Sequence, residues 1–121
     1  MILLDPKSLV ETLSQAPKQV VCDVETYGET RGLEGLLGVA LAFRPAGKAP
    51  CAFYVPVNQW NGTYLKRQAS PEVLEVLRNF LRSRELIGHN IEYDRYWVDA
   101  AFGIKSAWCL DTQLAWKLLG S

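Results

Sequence analysis

The chain has 121 residues, of which 49% are hydrophobic and 21% charged, a composition typical of one folded domain and not of a disordered segment. Thirteen basic residues balance thirteen acidic ones, so net charge neither indicates nor excludes a nucleic-acid partner. No apolar run is long enough to cross a bilayer, and the first residues lack the basic leader and apolar core of a signal peptide. We therefore expect neither an integral membrane protein nor a secreted one.

The cysteines point to a reducing compartment. Cys22, Cys51 and Cys109 are odd in number, far apart and each in an apolar stretch, and His89 is the only histidine. A structural zinc site is not expected, because no two cysteines have C-x-x-C spacing. We predict three reduced, mostly buried thiols in a cytoplasmic protein.

Helices and strands are predicted in alternation. Asp5 and Pro6 indicate the N-cap and first residue of a helix that runs to about Gln15. Runs of β-branched and apolar residues predict strands over residues 19–24, 36–43, 51–57, 85–88 and 107–110. Further helices are predicted to start at residues 70–72, to span about 90–103 with Asn90 as N-cap, and to span 113–119. Residues 58–69 are polar with embedded aromatics, which predicts a loop.

This order of elements predicts an α/β domain over residues 1–121. The turn-forming residues 44–50 favour an antiparallel hairpin of the second and third strands. Strand and helix then alternate, which indicates a mixed sheet with helices on its faces.

Two carboxylates follow one another at the end of the first predicted strand. Asp23 and Glu25 are two residues apart, so their side chains project from the same face of the strand. Burial of either one costs several kcal/mol unless a positive group compensates. The alternative is that the strand has already ended and both acids are solvated, and this segment by itself leaves the two interpretations open.

A third carboxylate falls on the apolar side of a predicted helix. Asp94 lies three residues after Ile91 and four before Val98, both on the inward face. No lysine or arginine follows Asp94 at three or four residues. A metal ion shared with Asp23 and Glu25 would compensate its charge. Without a metal ion the three crowded carboxylates repel one another, so we expect the pKa of at least one of them to be raised.

These segments resemble a known family. Residues 23–26 (Asp-Val-Glu-Thr) resemble the first motif of the DEDD 3′–5′ exonucleases, and residues 88–94 (Gly-His-Asn-Ile-Glu-Tyr-Asp) resemble the second. The second has the form found in the proofreading domain of family A, Pol I-like, DNA polymerases. Residues 38–42 and 52–57 are similar to that domain's second and third strands, and residues 110–115 to its Asp-Thr helix start. The order matches over almost the whole chain.

The resemblance implies a ribonuclease H-like fold and two divalent ions, Mg²⁺ or Mn²⁺. It implies that Asp23 bridges the ions, that Glu25 binds the ion beside the nucleophile, and that Asp94 holds the second ion. The substrate-binding residues it implies are Thr26, His89 and Asn90. The implied reaction is hydrolysis of single-stranded or frayed DNA from 3′ ends, releasing nucleoside monophosphates, in a prokaryotic or phage protein.

The chain departs from the family at the third motif. That motif places a fourth acid on a later helix, four or five residues after a tyrosine or histidine. The acids after Asp94 are Asp99 and Asp111, and neither has that partner. We therefore expect the N-terminal part of the family domain, whose partner would be a polymerase domain, a missing C-terminal segment or another chain. A catalytically silent nucleic-acid-binding or interaction module with the same fold is the alternative.

Three further interpretations follow from the residues. Asp111 is better explained as the N-cap of the last helix than as a substitute acid. Aromatic and basic residues near the 58–69 segment either stack on nucleic acid or pack on the core, and the sequence does not separate these: Tyr27, Trp60, Tyr64, Lys66 and Arg67. The remaining tryptophans, Trp97, Trp108 and Trp116, are expected in the core.

Overall fold

A computed structural model of the protein describes residues 2, 5–28 and 31–119. Its helices are α1 (Pro6–Leu13), α2 (Pro71–Ser83), α3 (Ile91–Phe102) and α4 (Thr112–Leu118), with a 3₁₀ turn at Leu33–Gly35. Its strands are β1 (Gln19–Thr26), β2 (Leu36–Phe43), β3 (Cys51–Pro56), β4 (Asn58–Trp60), β5 (Leu65–Arg67), β6 (Glu85–Gly88) and β7 (Ala107–Asp111). No helix among these residues is long and apolar enough to span a membrane.

Five strands form one mixed sheet in the order β3-β2-β1-β6-β7. β2 pairs antiparallel with β1 and β3, whereas β6 pairs parallel with β1 and β7, so the predicted hairpin and mixed sheet are confirmed. β6 pairs with only the first three residues of β1, Gln19–Val21. The second half of β1 therefore extends past the end of β6, and this step in the sheet is where the candidate site lies.

Alternation along β1 separates a core face from an exposed face. Val20, Cys22 and Val24 are buried, while Asp23 and Glu25 are exposed between and after them. The core is completed by apolar residues of the neighbouring strands and of α1, α2 and α3. Burial of these side chains is the main stabilising contribution, at about 25 cal/mol per Å² of apolar surface.

Two predicted helix starts are confirmed by their caps. The Asp5 carboxylate accepts a hydrogen bond from the backbone N–H of Ser8 at 3.1 Å, and Ser70 Oγ accepts one from Val73 N at 3.2 Å. Each cap is followed by a proline at the first helical position. Each side-chain oxygen satisfies one of the free donors at the helix N-terminus.

The prediction of a loop over residues 58–69 was wrong in part, because β4 and β5 form an antiparallel hairpin there. Buried Asn58 anchors it: Nδ2 donates to the carbonyl oxygens of Leu33 and Leu36, both at 2.7 Å, and Oδ1 accepts from Arg67 Nε at 2.8 Å. The hairpin is thus held by the hydrogen bonds of one polar side chain and not by alternating apolar residues, which normally mark a strand. Strand periodicity is therefore missing from the sequence of this hairpin.

Two burial predictions were also wrong. Cys22 is buried, but Cys51 is half-buried and Cys109 is exposed, although all three are free thiols. Trp97 is buried as expected and Trp108 packs partly against the core, whereas Trp116 on α4 is 62% exposed. Cys109 lies on β7 at the edge of the sheet, and none of the described α4 side chains is buried, so this end of the sheet has little cover.

The side chain of Tyr54 on β3 lies over a glycine of the neighbouring strand β2. Gly38 of β2 lies opposite Glu25 of β1, and a Cβ on Gly38 would overlap the phenol ring of Tyr54. Burial, and then the charge of Glu25, raise the pKa of Tyr54. The missing side chain at position 38 therefore lets the phenol approach Glu25 across the face of the sheet.

We expect Gly38→Ala to lower the free energy of unfolding by about 1–3 kcal/mol, because the added methyl displaces the Tyr54 ring. Urea denaturation of both single variants and the double variant with Tyr54→Leu measures the coupling. In the Tyr54→Leu background the cost of Gly38→Ala should fall to about 0.5 kcal/mol or less. An equal cost in both backgrounds would show that Tyr54 is not the obstructing group.

Candidate functional site

Asp23 and Glu25 lie on the exposed face of β1, as the spacing predicted. Their neighbours across the antiparallel pair are Ala40 and Gly38, which have small side chains or none. Both carboxylates are therefore open to solvent above the sheet. The alternative in which the strand ends before them does not apply, since β1 continues to Thr26.

Asp94 is the buried acid of the site. It lies one turn into α3 and is only 2% exposed, and Oδ2 has no hydrogen-bond partner among the described residues. A Cβ built on Gly88, the last residue of β6, would lie 3.2 Å from Oδ2. The carboxylate thus occupies the step where β6 has ended and β1 continues.

Burial raises the pKa of Asp94 to about 7, with a further rise from the neighbouring charge of Asp23 and a smaller one from Asp111. A hydrogen bond from the backbone N–H of Val24 acts in the opposite direction. The predicted raised pKa is therefore confirmed. Burial together with the charges of Asp94 and Asp23 also raises the pKa of the Cys22 thiol, so this region holds uncompensated negative charge.

Asp111 caps two helices at once. Its Oδ1 accepts hydrogen bonds from Gln113 N at 3.0 Å and Leu114 N at 3.3 Å, which confirms it as the cap of α4. The same carboxylate accepts from Asn90 N at 3.0 Å and Ile91 N at 3.2 Å, at the start of α3. These backbone bonds lower the pKa of Asp111, because each favours the ionised form. Its oxygens are thus already occupied by backbone donors.

Asn90 is the N-cap residue of α3, as predicted, but its side chain does not supply the capping hydrogen bond. Asn90 has a left-handed backbone conformation, with φ 72° and ψ 67°, and its side chain makes no cap hydrogen bond. Asparagine tolerates this conformation better than most residues, which suits it to the turn between β6 and α3. The capping hydrogen bonds are accepted by Asp111, which is 21 residues further along the chain.

The three residues proposed to bind substrate lie around the same edge. Thr26 Oγ1 is 2.6 Å from the hydroxyl of Tyr93, and His89 Nδ1 is 2.9 Å from Thr112 Oγ1. The Thr112 hydroxyl donates its one hydrogen to the carbonyl of Gly88, so it accepts from His89 Nδ1–H. This leaves His89 Nε2 as an acceptor in the neutral ring. The roles of Thr26, His89 and Asn90 toward a substrate stay predictions.

An open cleft of about 530 Å³ adjoins these residues, lined by Gly28, Arg31, Tyr93 and Trp97. The Arg31 guanidinium lies 3.6 Å from the centre of the Tyr96 ring, in cation–π contact. Tyr93, Tyr96 and Arg31 were not predicted as site residues from the sequence. The signal that could have found Tyr93 and Tyr96 is two tyrosines three residues apart on α3, flanking the buried Asp94.

A divalent cation fits part of this set. The unpartnered oxygen of Asp94 and the nearby carboxylate of Asp23 are hard oxygen donors, and Mg²⁺ commonly binds through one or two carboxylates and several waters. Within residues 2, 5–28 and 31–119, however, no three His, Cys, Asp or Glu side chains are grouped to hold a metal. Asp23 is near enough for its charge to raise the pKa of Asp94, and convergence of Asp23, Glu25 and Asp94 on one metal site stays a prediction.

Asp94 should make the protein less stable as pH rises. Its native pKa of about 7 exceeds the usual 3.8, so between these values the native state holds a proton that the unfolded chain has lost. The contribution of Asp94 to the free energy of unfolding is fully present below about pH 4. As the pH rises from about 4 to about 7, this contribution falls by up to about 1.4 kcal/mol per pH unit. Asp94→Asn removes this loss and should be more stable than the parent at pH 8, but not at pH 4.

Urea denaturation in metal-free buffer at pH 4, 6 and 8 measures this difference. Glu92→Gln is the matched control, since Glu92 is an exposed acid on the same helix. The stability of Glu92→Gln relative to the parent should not change in the same way with pH. A constant difference between Asp94→Asn and the parent would contradict the assignment.

Asp111→Asn should lower the melting temperature at pH 7. An asparagine side chain has one acceptor oxygen, whereas the carboxylate uses Oδ2 for Ile91 and Oδ1 for the other three donors. Because the native pKa is lowered, the advantage of the parent is present above about pH 4 and disappears as pH falls through that lowered pKa. Asp5→Asn is the control, since Asp5 caps one helix with one oxygen. Equal losses in the two variants would refute the double cap.

No protein-family profile matches the sequence, and no curated protein matches it. The EXO domain of Nibbler from Aedes aegypti superposes with a TM-score of 0.63 at 14% identity, over 98% of this chain and 55% of that one. A mutant of the catalytic core of RRP6 from Trypanosoma brucei gives 0.59 at 18% identity, over 98% and 30%. The apo form of a nuclease gives 0.55 at 22% identity, over 89% and 46%.

The chain thus spans 30–55% of the length of these solved chains. At 14–22% identity the likeness concerns the fold, and the predicted α/β architecture is confirmed. The Pol I-like subfamily stays a prediction, since none of these three structures bears on it. This chain has the ribonuclease H-like fold of exonuclease domains.

Proposed function

We propose that this chain is the N-terminal part of a metal-dependent 3′–5′ exonuclease domain of the proofreading type. The observation that supports it is the buried, unpartnered Oδ2 of Asp94 beside the Asp23 carboxylate, in a fold shared with exonuclease domains. A buried carboxyl oxygen without a hydrogen-bond partner is costly and calls for a ligand. A hydrated divalent cation has the opposite charge and prefers oxygen ligands, so it could bind this carboxylate.

In this proposal Asp23 and Asp94 hold Mg²⁺ or Mn²⁺, and Glu25 supports a second ion from the same face of β1. Two such ions, when bound, would supply an activated water and positive charge beside the leaving 3′ oxygen. Asp94 has a pKa of about 7, so loading the site near neutral pH displaces a proton from it. Asp111 is engaged by four backbone N–H groups, which argues against it as the fourth acid.

The proposed substrate is the 3′ end of single-stranded or frayed DNA, in the cytoplasm of a prokaryote or a phage-infected cell. The cleft beside Thr26 and Tyr93 offers aromatic and cationic side chains for a terminal nucleotide. His89 and the exposed Asn90 directly precede α3, and Asn90 lines a cavity together with Arg31, Tyr93 and Trp97, where it could contact the strand.

A binding module without catalysis is the second candidate. It is favoured by the lack of any three-ligand metal group among the described residues. It predicts single-strand binding that is indifferent to Mg²⁺ and to changes at Asp23. The two candidates thus differ in their response to the metal.

A 3′-labelled single strand incubated with Mn²⁺ or Mg²⁺ tests the proposal. We expect slow release of labelled mononucleotide by the parent, reduced at least about 100-fold in Asp23→Asn, which corresponds to about 2.7 kcal/mol of barrier. Glu75→Gln, an exposed acid on α2, is the control and should retain full activity. Release that survives in Asp23→Asn would reject this acid as a ligand.

Thermal denaturation with and without Mn²⁺ separates the two candidates when the rate is too slow to measure. Binding to the native state raises the melting temperature with metal concentration by mass action. The rise should be lost in Asp23→Asn and kept in Glu75→Gln. A melting temperature that does not respond to Mn²⁺ in the parent would favour the binding module.

A further inference from the structure

Two aromatic rings form an exposed stack next to the end of β1. Tyr27 and Trp60 lie with their ring centres 5.3 Å apart and their planes at 27°. Tyr27 is 50% and Trp60 46% exposed, so neither ring is packed into the core. For Tyr27 and Trp60 the structure therefore favours the stacking interpretation over packing on the core.

The hairpin that carries Trp60 has a positive charge. Residues 58–69 contain Lys66 and Arg67 and no aspartate or glutamate. A shallow cavity of about 350 Å³ lies along it, lined by Gln59, Trp60, Asn61, Lys66, Arg67 and Gln68. Cationic groups, amides and an aromatic ring are the side chains that contact phosphates and bases of a single strand.

The position of this surface is fixed by buried contacts. Asn58 is held by the carbonyls of Leu33 and Leu36 and in turn accepts from Arg67 Nε, which leaves the rest of the guanidinium free of that contact. Tyr27 N donates to Gly35 O at 2.9 Å. The two rings and the Arg67 side chain are thus held in place before any ligand binds, which lowers the entropic cost of binding.

We propose that Tyr27, Trp60, Lys66 and Arg67 form a second binding site, the aromatic platform, for the upstream part of a single nucleic-acid strand. A base stacks on the Tyr27–Trp60 pair, and the positive charges of Lys66 and Arg67 attract the adjoining phosphates. Tyr27 is four residues beyond Asp23, about 13 Å along an extended strand. This separation corresponds to about four stacked nucleotides at 3.4 Å each. The direction of the strand rests on the proposed function at the acidic site.

Fluorescence anisotropy with labelled oligothymidylates of 3 and 12 nucleotides, in EDTA so that nothing is cleaved, tests the platform. We expect the 12-mer to bind more tightly than the 3-mer. Trp60→Leu should weaken 12-mer binding about 5- to 150-fold, the range for loss of one stacked base. Trp116→Leu is the matched control, because Trp116 is an exposed tryptophan on α4.

Lys66→Gln supplies a second measurement that does not depend on the hairpin tolerating a new residue at 60. It should reduce the slope of log affinity against log salt by about 0.7 for the 12-mer. Lys7→Gln, on exposed α1 surface, should leave the slope unchanged. Parent-like 12-mer binding and salt dependence in both hairpin variants would overturn the platform.

These outcomes are separate from those for the acidic site. Hydrolysis that depends on Asp23, together with parent-like 12-mer binding by Trp60→Leu, would refute the platform and leave the exonuclease proposal intact. Tight 12-mer binding lost in Trp60→Leu, with no hydrolysis in Mn²⁺, would support the platform and reject catalysis by this chain.

Discussion

Two helices of this protein begin at the same carboxylate. Asp111 receives the free N–H groups of the first turns of α3 and α4, which lie on opposite sides of β7 in the sequence. Because the negative charge also lies near two helix N-termini, the interaction is electrostatically favourable for both. The direction in which α3 leaves the sheet depends on this contact, and so does everything that α3 carries.

Asp94 is the main consequence. One turn after the Asp111 contact, α3 places an acid over Gly88, at the step where β6 ends and β1 continues. The surrounding core excludes water, and Asp23 adds a like charge, so the protein holds a carboxyl group with a pKa of about 7. Such a group lowers stability at neutral pH, and burial of this kind is concentrated at functional sites. Burial of the Asp94 carboxyl group without a partner for Oδ2 thus accounts both for the lower stability and for the capacity to bind a cation.

β1 links this acid to the rest of the surface. Asp23, Glu25 and Tyr27 occur at alternate positions, with the first two on the exposed face of the strand and Tyr27 just after it. Small residues on β2 leave that face open, and the absence of a side chain at Gly38 lets Tyr54 approach Glu25. The Asn58 anchor then holds the hairpin so that Trp60 stacks on Tyr27. The acidic residues Asp23 and Glu25 and the aromatic platform therefore lie next to each other, at the end of β1.

The sequence by itself determined the elements whose signals are local. Apolar periodicity, proline after a capping residue, and turn residues 44–50 gave the four helices and the five strands of the sheet to within a few residues. Alternation along β1 was enough to place Asp23 and Glu25 on one face, and helical spacing was enough to place Asp94 inward. The resemblance to exonuclease motifs led to the correct fold, because those motifs mark strand and helix ends.

Only the tertiary structure decided what depends on distant partners. Asn90 is the N-cap residue of α3, but the capping hydrogen bonds are accepted by the carboxylate of Asp111, 21 residues away, and not by the Asn90 side chain. The 58–69 hairpin is held by carbonyls of a different segment, which no periodicity in its own residues reveals. Trp116 and Cys109 are exposed because burial depends on which elements cover β7 and α4, and composition carries no information about that cover. The raised pKa of Asp94 was foreseeable from its pattern, but its unpartnered oxygen follows from where β6 ends.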